Sequence, residues 1–334
     1  MSSTTTEVLQ RKPRNVAVNT NPEHGLHLVE SDVPEPGPKD CLVHVRATGI
    51  CGSDVHFWKH GKIGDMIVVG ENGLGHESAG IVIKTGSEVT RFKPDVVFFS
   101  TPPYDGTLRR YHVHPEAWLH ALPDRLSYEE GSLLEPLSVA LAGIDRSNLR
   151  LGSALVICGA GPIGLVTLLA AHAAGAAPIV ITDMDENRLQ VAKKLLPRVR
   201  TVKVAREDAA KDLGTRIIET LGTEAELVLE CTGVESSIQA GIYATRFGGS
   251  VFVIGVGKDF QNIPFMHLSS KEIDLRFQYR YHDTYPKAIN LVNEGLIDLK
   301  PLVTHRYKLD DGVDAFATAS TPGARAIKVQ ILDD

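Results

Sequence analysis

Cysteine is scarce in this chain and never paired in sequence. Cys41, Cys51, Cys158 and Cys231 are the four in 334 residues, with no C-x-x-C and at least ten positions between any two. That arrangement offers no disulfide framework. Long apolar runs are missing too. The longest, "LVTLLAAHAAGAAPIVI", is broken by His172, Gly175 and Pro178 and falls short of a membrane span. The opening "MSSTTTEVLQRKPRN" has no apolar h-region and does not read as a secretory signal, so the expected address is the cytoplasm. Positive charge is not in excess: the net charge of −6 argues against nucleic acid or anionic lipid as the main partner. Neither internal repeats nor low-complexity segments occur.

What remains is the balance of a soluble globular protein, 43% hydrophobic and 23% charged. The length exceeds one ordinary core, so two domains are expected. Residues 14–92 read as short strands broken by turn residues, with "CLVHVRATGI" and "SAGIVIKTG" β-rich and "DVPEPGPKD" a proline-dense connector. After about residue 150, apolar strands alternate with helical patterns, which predicts a parallel α/β sheet. "SALVICGAG", "APIVITDMD", "AELVLECTG" and "GSVFVIGVG" read as buried strands; "PIGLVTLLAAHAAG" and "VESSIQAGIYATRF" read as helices. Another helix starts at "DENRLQVAKKLL" with Asp185 as its N-cap.

"GAGPIG", Gly159 to Gly164, is a G-x-G-x-x-G, which alone signals only a tight turn. Here it follows an apolar strand, opens a helix and precedes a second strand ending in Asp183. Gly159 permits the turn, Gly161 lets backbone approach a pyrophosphate, and Gly164 allows helix and strand to pack closely. Asp183, 19 residues after Gly164, is placed to accept hydrogen bonds from adenosine ribose hydroxyls. A carboxylate there repels a 2′-phosphate, so NAD is expected over NADP.

"TGICGSDVHFW" holds Cys51 beside Ser53 and His56, and "GLGHESAG" holds His76 and Glu77. A catalytic zinc takes about three protein ligands and keeps one position open, a need Cys51, His76 and a carboxylate could meet. Blander readings stand beside this one: a core thiol at Cys51, a hydrogen-bonded core histidine at His76, a salt-bridged Glu77. Ser53 could be a helix-capping hydroxyl and His56 a plain solvent-facing histidine. Glu135, in the apolar run "SLLEPLSVALAG", needs a cation, a water or a donor if it is buried.

Together "GICGSDVH", "GHESAG", "EPLSVA", "CGAGPIG" and "ECTG" resemble the zinc-dependent medium-chain dehydrogenases, in particular the polyol branch that acts on sorbitol, xylitol and L-arabinitol. "FWKHGKIG", "STPPYDGTLRRY", "VFVIGVGK" and "FQYRY" are most similar to the fungal L-arabinitol 4-dehydrogenases and their galactitol- or xylitol-acting relatives. The resemblance runs from about residue 15 to 332. It implies a GroES-like β-rich catalytic domain over 1–140, completed by 281–334, and a Rossmann doubly wound NAD-binding domain over 141–280. It further implies catalytic zinc on Cys51, His76 and Glu77, with Glu135 beside it bonded to a water or the substrate. Ser53 and His56 would carry the alcohol proton to solvent. Phe57 would face the substrate, and Arg280 and Tyr281 would grip its hydroxyls. Ile163, Asp183 and Arg188 would contact the adenosine half of NAD; Ile254, Gly255 and Val256 with Gln278, Tyr279 and Arg280 would line the nicotinamide side. The activity implied is NAD-dependent oxidation of a secondary alcohol of a sugar alcohol to a ketose, by a homotetramer.

One stretch departs from that pattern. After "RFKP" the family continues with a Gly-Asp-Arg-Val strand and a four-cysteine loop that can hold a structural zinc. Here Pro94 is followed at once by "DVVFFSTPP", and the cysteine spacing excludes a structural Cys₄ site. The missing piece includes a strand of the catalytic barrel. Unpaired edges beside the apolar run Val96–Phe99 would favour aggregation, poor zinc binding and slow turnover. The alternative expectation is therefore a nucleotide-binding protein with an impaired catalytic half.

Overall fold

The computed structural model describes residues 9–90 and 104–334. They form two compact units, one running up to Glu135 and resuming over Val303–Asp334, the other Pro136–Leu302.

In the first unit, strand Asp40–Gly49 is the centre of a sheet with five strands among the described residues. Strand Glu77–Thr85 pairs antiparallel along one edge. On the other edge Tyr111–Pro115 pairs the first half, Asp40–His44, and Lys328–Leu332 pairs the second, Ala47–Gly49. Val303–Lys308 lies parallel to Lys328–Leu332 at the edge. A smaller sheet sets Asn15–Thr20 between Leu26–Ser31 and Asn72–Gly73. Val16, Val18, Ile50, Leu74, Leu108, Phe316, Val329 and Ile331 form the core between them. Removing one such aliphatic side chain from water contributes about 1.5–3 kcal/mol.

The C-terminal strand is fastened at its end. Asp333 accepts from His44 Nε2 at 2.9 Å, Arg110 Nε at 3.0 Å and Lys12 Nζ at 2.8 Å. Burial alone would raise its pKa; those donors outweigh it and hold the carboxyl well below the usual range.

The second unit carries, among its described residues, six parallel strands in the order Arg200–Lys203, Ile179–Asp183, Leu155–Cys158, Ala225–Glu230, Thr245–Val253, Asp274–Phe277. By sequence rank this is 3-2-1-4-5-6, the doubly wound order. The central strands are buried except at Glu226, as crossover helices on both faces require. Helix Ala210–Leu221 shows why such segments are helical. Leu213, Ile217 and Leu221 recur every four residues on its buried face, and Gly222, at φ 82, ends it in a left-handed turn. Helix Glu186–Leu195 is capped by Asp185, whose carboxylate accepts from Asn187 N at 2.8 Å.

Two boundaries differ from the sequence reading. The first unit ends at Glu135 rather than 140, and the chain returns to it at Val303 rather than 281. Helix Tyr285–Asn293 stays with the parallel sheet because Ala288 and Val292 are buried there and Thr284 Oγ1 donates to Ser138 O at 3.1 Å. The strand expected at Gly249 begins at Thr245, where Ala225 already pairs with it. The join after Pro94 and the run Val96–Phe99 lie outside the described residues. Among the described residues no helix is long and apolar enough to cross a membrane.

Candidate active site

In the first unit the turn after strand Asp40–Gly49 leads into helix Gly52–His60, with Cys51 as the N-cap residue. Asp54, at the third helical position, accepts from Cys51 N at 2.9 Å and Gly75 N at 3.0 Å, so one carboxylate ties the helix start to the glycine turn before His76. Gly75 has φ 89, and a Cβ there would meet Leu108 within 2.6 Å. These constraints set one donor atom from each of Cys51, His76 and Glu77 within 4.8 Å of one another. Sulfur, imidazole nitrogen and carboxylate oxygen form a donor set suited to zinc.

Asp54 Oδ1 lies 3.3 Å from His76 Nδ1, an ion-pair distance without hydrogen-bond alignment, and Nδ1 has no hydrogen-bond partner among the described residues. A carboxylate behind one ring nitrogen leaves the other, Nε2, for a metal. Burial works against the imidazolium, but Asp54 and then Cys51 outweigh it and hold His76 well above its usual range. Asp54 itself is pushed up by burial and brought below its usual value by His76 and the two backbone donors.

Glu77 is fully buried and bonded through both oxygens to Lys328 Nζ, at 2.8 and 2.7 Å. It stands opposite Gly49, where a Cβ would fall 2.1 Å from Glu77 Oε2, so a larger residue there would displace the carboxylate. Lys328 is lowered by burial and raised, on balance, by Glu77, then Cys51, with Glu135 contributing. Glu135, 3% exposed in the first turn of helix Leu134–Ser147, thus acts on the same cation.

Ser53 Oγ lies 3.4 Å from His76 Nε2. His56 is on the exposed side of the helix, its ring 4.5 Å from that of His60; desolvation and then His60 lower its pKa. Phe57 lies on the inward face of the same helix. At 2% exposure it is part of the unit's apolar core, because its helix turns that face inward.

Of the remaining cysteines, Cys41 and Cys158 are buried thiols and Cys231 is half-buried. Burial raises Cys41, burial and Glu230 push Cys158 up to about 12, and the same two causes raise Cys231.

In the second unit, Gly159 has φ 96 and Gly161 caps helix Pro162–Ala173, with Pro162 at its first position. A Cβ on Gly164 would fall 1.8 Å from Gly159 O, so helix and turn touch through backbone. A Cβ on Gly161 would meet nothing nearer than Arg188 Nη1 at 3.8 Å, which leaves the helix N-terminus open to an anion. Asp183 Oδ2 accepts from Ala160 N at 2.7 Å and Oδ1 from Asp185 N at 2.8 Å, so this carboxylate also holds the glycine turn. Ile163 lies in the first turn of that helix. Ile254 and Gly255 follow strand Thr245–Val253, and both donate N–H to Glu230 O, at 2.7 and 3.0 Å. Val256 is exposed. Gln278 Nε2 donates to Val139 O at 2.8 Å; Arg280, at φ 59, sets its guanidinium over the Tyr279 ring; Tyr281 stacks edge-on to Tyr285.

Sequence reasoning passed over Asp54 and Lys328. Asp54 had a signal: an acid three residues after a cap residue, in a segment that also holds Cys51. Lys328 had only its lone charge in the apolar strand "KVQIL".

The Alcohol dehydrogenase GroES-like domain family matches residues 37–124, and the Zinc-binding dehydrogenase family matches 162–294. L-arabinitol 4-dehydrogenase of Aspergillus oryzae is 50% identical, over 96% of this chain and 95% of its own. Sorbitol dehydrogenase of Homo sapiens is 39% identical, over 92% and 93%. The structure of 2R,3R-butanediol dehydrogenase from Bacillus subtilis matches at a TM-score of 0.85 with 25% identity, over 96% of this chain and 100% of its own. This chain belongs to the zinc-binding dehydrogenases, with a GroES-like domain and a Rossmann domain. The match to the Aspergillus oryzae enzyme spans 364 positions but takes in only 96% of the 334 residues here, about 321, so within that span the relative has about 43 residues that this chain lacks.

Proposed function

We propose that the protein is an NAD- and zinc-dependent polyol dehydrogenase, oxidising a secondary alcohol of a pentitol or hexitol such as L-arabinitol, xylitol, sorbitol or galactitol to the ketose. The observation that carries this is the Cys51–His76–Glu77 donor cluster in a chain 50% identical to an L-arabinitol 4-dehydrogenase. Zinc on those residues supplies a Lewis acid that makes an alcohol hydroxyl acidic near neutral pH, and nicotinamide supplies the hydride acceptor. Ser53, beside His76 Nε2, takes the alcohol proton and passes it to His56. His56, with its lowered pKa, is a neutral acceptor at pH 7 that releases the proton to solvent. Glu135 holds the alcohol or a water by a hydrogen bond, and Arg280 with Tyr281 grips further hydroxyls. Asp183 accepts from the ribose hydroxyls and disfavours a 2′-phosphate, with Ile163 and Arg188 on the adenosine half. Ile254 to Val256 and Gln278 to Arg280 line the nicotinamide. The protein works in the cytoplasm as a homotetramer, and sedimentation showing only monomer would reject that assembly.

NADH formation followed by absorbance with the four polyols tests the reading: at least one should turn over, and none doing so with zinc present would refute it. A second reading, NAD binding with an impaired catalytic half, is favoured by the residues present within the matched span of the relative and absent here. NAD binding without stoichiometric zinc would select it.

A further inference from the structure

We propose that Lys328 is the resident counter-cation of Glu77: it opposes metal entry at the Cys51–His76–Glu77 cluster, and so sets how tightly zinc is held. The inference rests on the zinc-binding reading above. Lys328 Nζ donates to both Glu77 oxygens and, at 3.2 Å, to Ile50 O, which accounts for all three ammonium hydrogens. The pair is sealed, with side-chain exposures of 3% and 0%. A carboxylate buried to that degree needs a cation, and in this geometry the ammonium is that cation.

A divalent ion on Cys51, His76 and Glu77 draws on the same oxygens that Lys328 holds. Glu77 stands opposite Gly49, and its Oε2 occupies the space that a Cβ there would need, so the carboxylate is closely packed on that side. Lys328 is equally confined: its strand is locked beside strand Asp40–Gly49, and Ile50 O anchors its tip one residue before Cys51. Metal entry therefore loosens a buried ion pair and sets a second cation near the first. Both effects weaken zinc binding relative to a site without the lysine, while the lysine keeps the metal-free site folded.

The test compares the full-length wild type with Lys328→Met and Lys328→Arg, measuring zinc affinity by competition with a chelator and thermal midpoints with and without zinc. The methionine variant should bind zinc about tenfold tighter or more, and its metal-stripped form should melt earlier. Zinc should raise its midpoint by roughly 3–5 °C more than it raises the wild type's. The arginine variant, which keeps the charge, should stay within about threefold of the wild-type affinity, since surplus charge and not side-chain shape opposes the metal. If metal-stripped Lys328→Met does not fold, refolding with zinc should rescue it, and failure to rescue overturns the proposal. Equal or weaker zinc binding by a folded methionine variant also overturns it. Zinc binding absent from the wild type would overturn the zinc reading itself, and this inference with it.

Discussion

The nucleotide unit assembles its candidate site from neighbouring chain, whereas the metal unit assembles its own from distant chain. Ala160 donates to Asp183 across 23 positions, and the glycine turn, helix and strand that join them follow in order. Glu77 meets Lys328 across 251 positions, on a strand that reaches the site only when the chain returns at its end. The polar content differs as well. Gly159, Gly161 and Gly164 act through backbone shape, while Asp54, His76, Glu77, Lys328 and Glu135 are buried charges that stabilise only as a set. A buried charge that loses its partner costs about 3–5 kcal/mol, so damage in the metal unit should spread through its site and spare the nucleotide unit.

The largest effect should come from Cys51→Ser. A hydroxyl is a far poorer zinc ligand than a thiolate. Losing several kcal/mol of Lewis-acid stabilisation, at about 1.4 kcal/mol per tenfold, should lower turnover by about a thousandfold or more. NAD affinity, measured by fluorescence titration, should hold; a parallel fall would break the separation between the two regions.

Asp183→Ser tests the same separation from the other side. Charged hydrogen bonds of about 1.5–3 kcal/mol are lost, so NAD should bind roughly tenfold to a hundredfold more weakly and discrimination against NADP should relax. ADP-ribose should weaken equally, because the carboxylate also holds Ala160 N in the glycine turn. Zinc content should not change, and unaltered NAD affinity would show that Asp183 is not the ribose ligand.

Asp54→Asn should weaken zinc binding by about 10–100-fold, measured by chelator competition, because the carboxylate behind His76 Nδ1 orients the ring. Full zinc affinity in that variant would mean that the helix start and the Gly75 turn hold His76 without it.

How much could be read from the sequence follows the same division. "CGAGPIG" carries its own context, and the Asp185 cap and the helix with Leu189 and Ala192 on its buried face are local patterns that folding preserves. Cys51, His76 and Glu77 were named from two short fragments, and the structure sets their donor atoms together. Lys328 was not legible, since nothing local links "KVQIL" to "GHESAG"; only the antiparallel pairing of Lys328–Leu332 with Asp40–Gly49 joins them. The burial of Phe57 was not legible for a related reason: a helix face is assigned to core or surface by its tertiary surroundings, here a cluster that also holds Phe316 and Val329. The return point at Val303 was hidden because helix Tyr285–Asn293 has an apolar face that either unit could bury.

A smaller effect should appear in stability against pH. Asp333 has a folded pKa below its unfolded value near 3.9, so the clamp by His44, Arg110 and Lys12 stabilises fully above that value and is lost as pH falls from there through the lower folded pKa. Asp333→Asn should lose about 2 kcal/mol at pH 7 and progressively less below pH 4, read from denaturant midpoints. A pH-independent loss would mean that the clamp acts through packing rather than charge.

The central claim, that Cys51, His76 and Glu77 hold one catalytic zinc, is tested most directly by metal analysis of the purified wild type alongside NAD titration and NADH formation from the four polyols. The account predicts one zinc per chain, NAD binding and turnover of at least one polyol. NAD binding with no stoichiometric zinc and no NADH would contradict it.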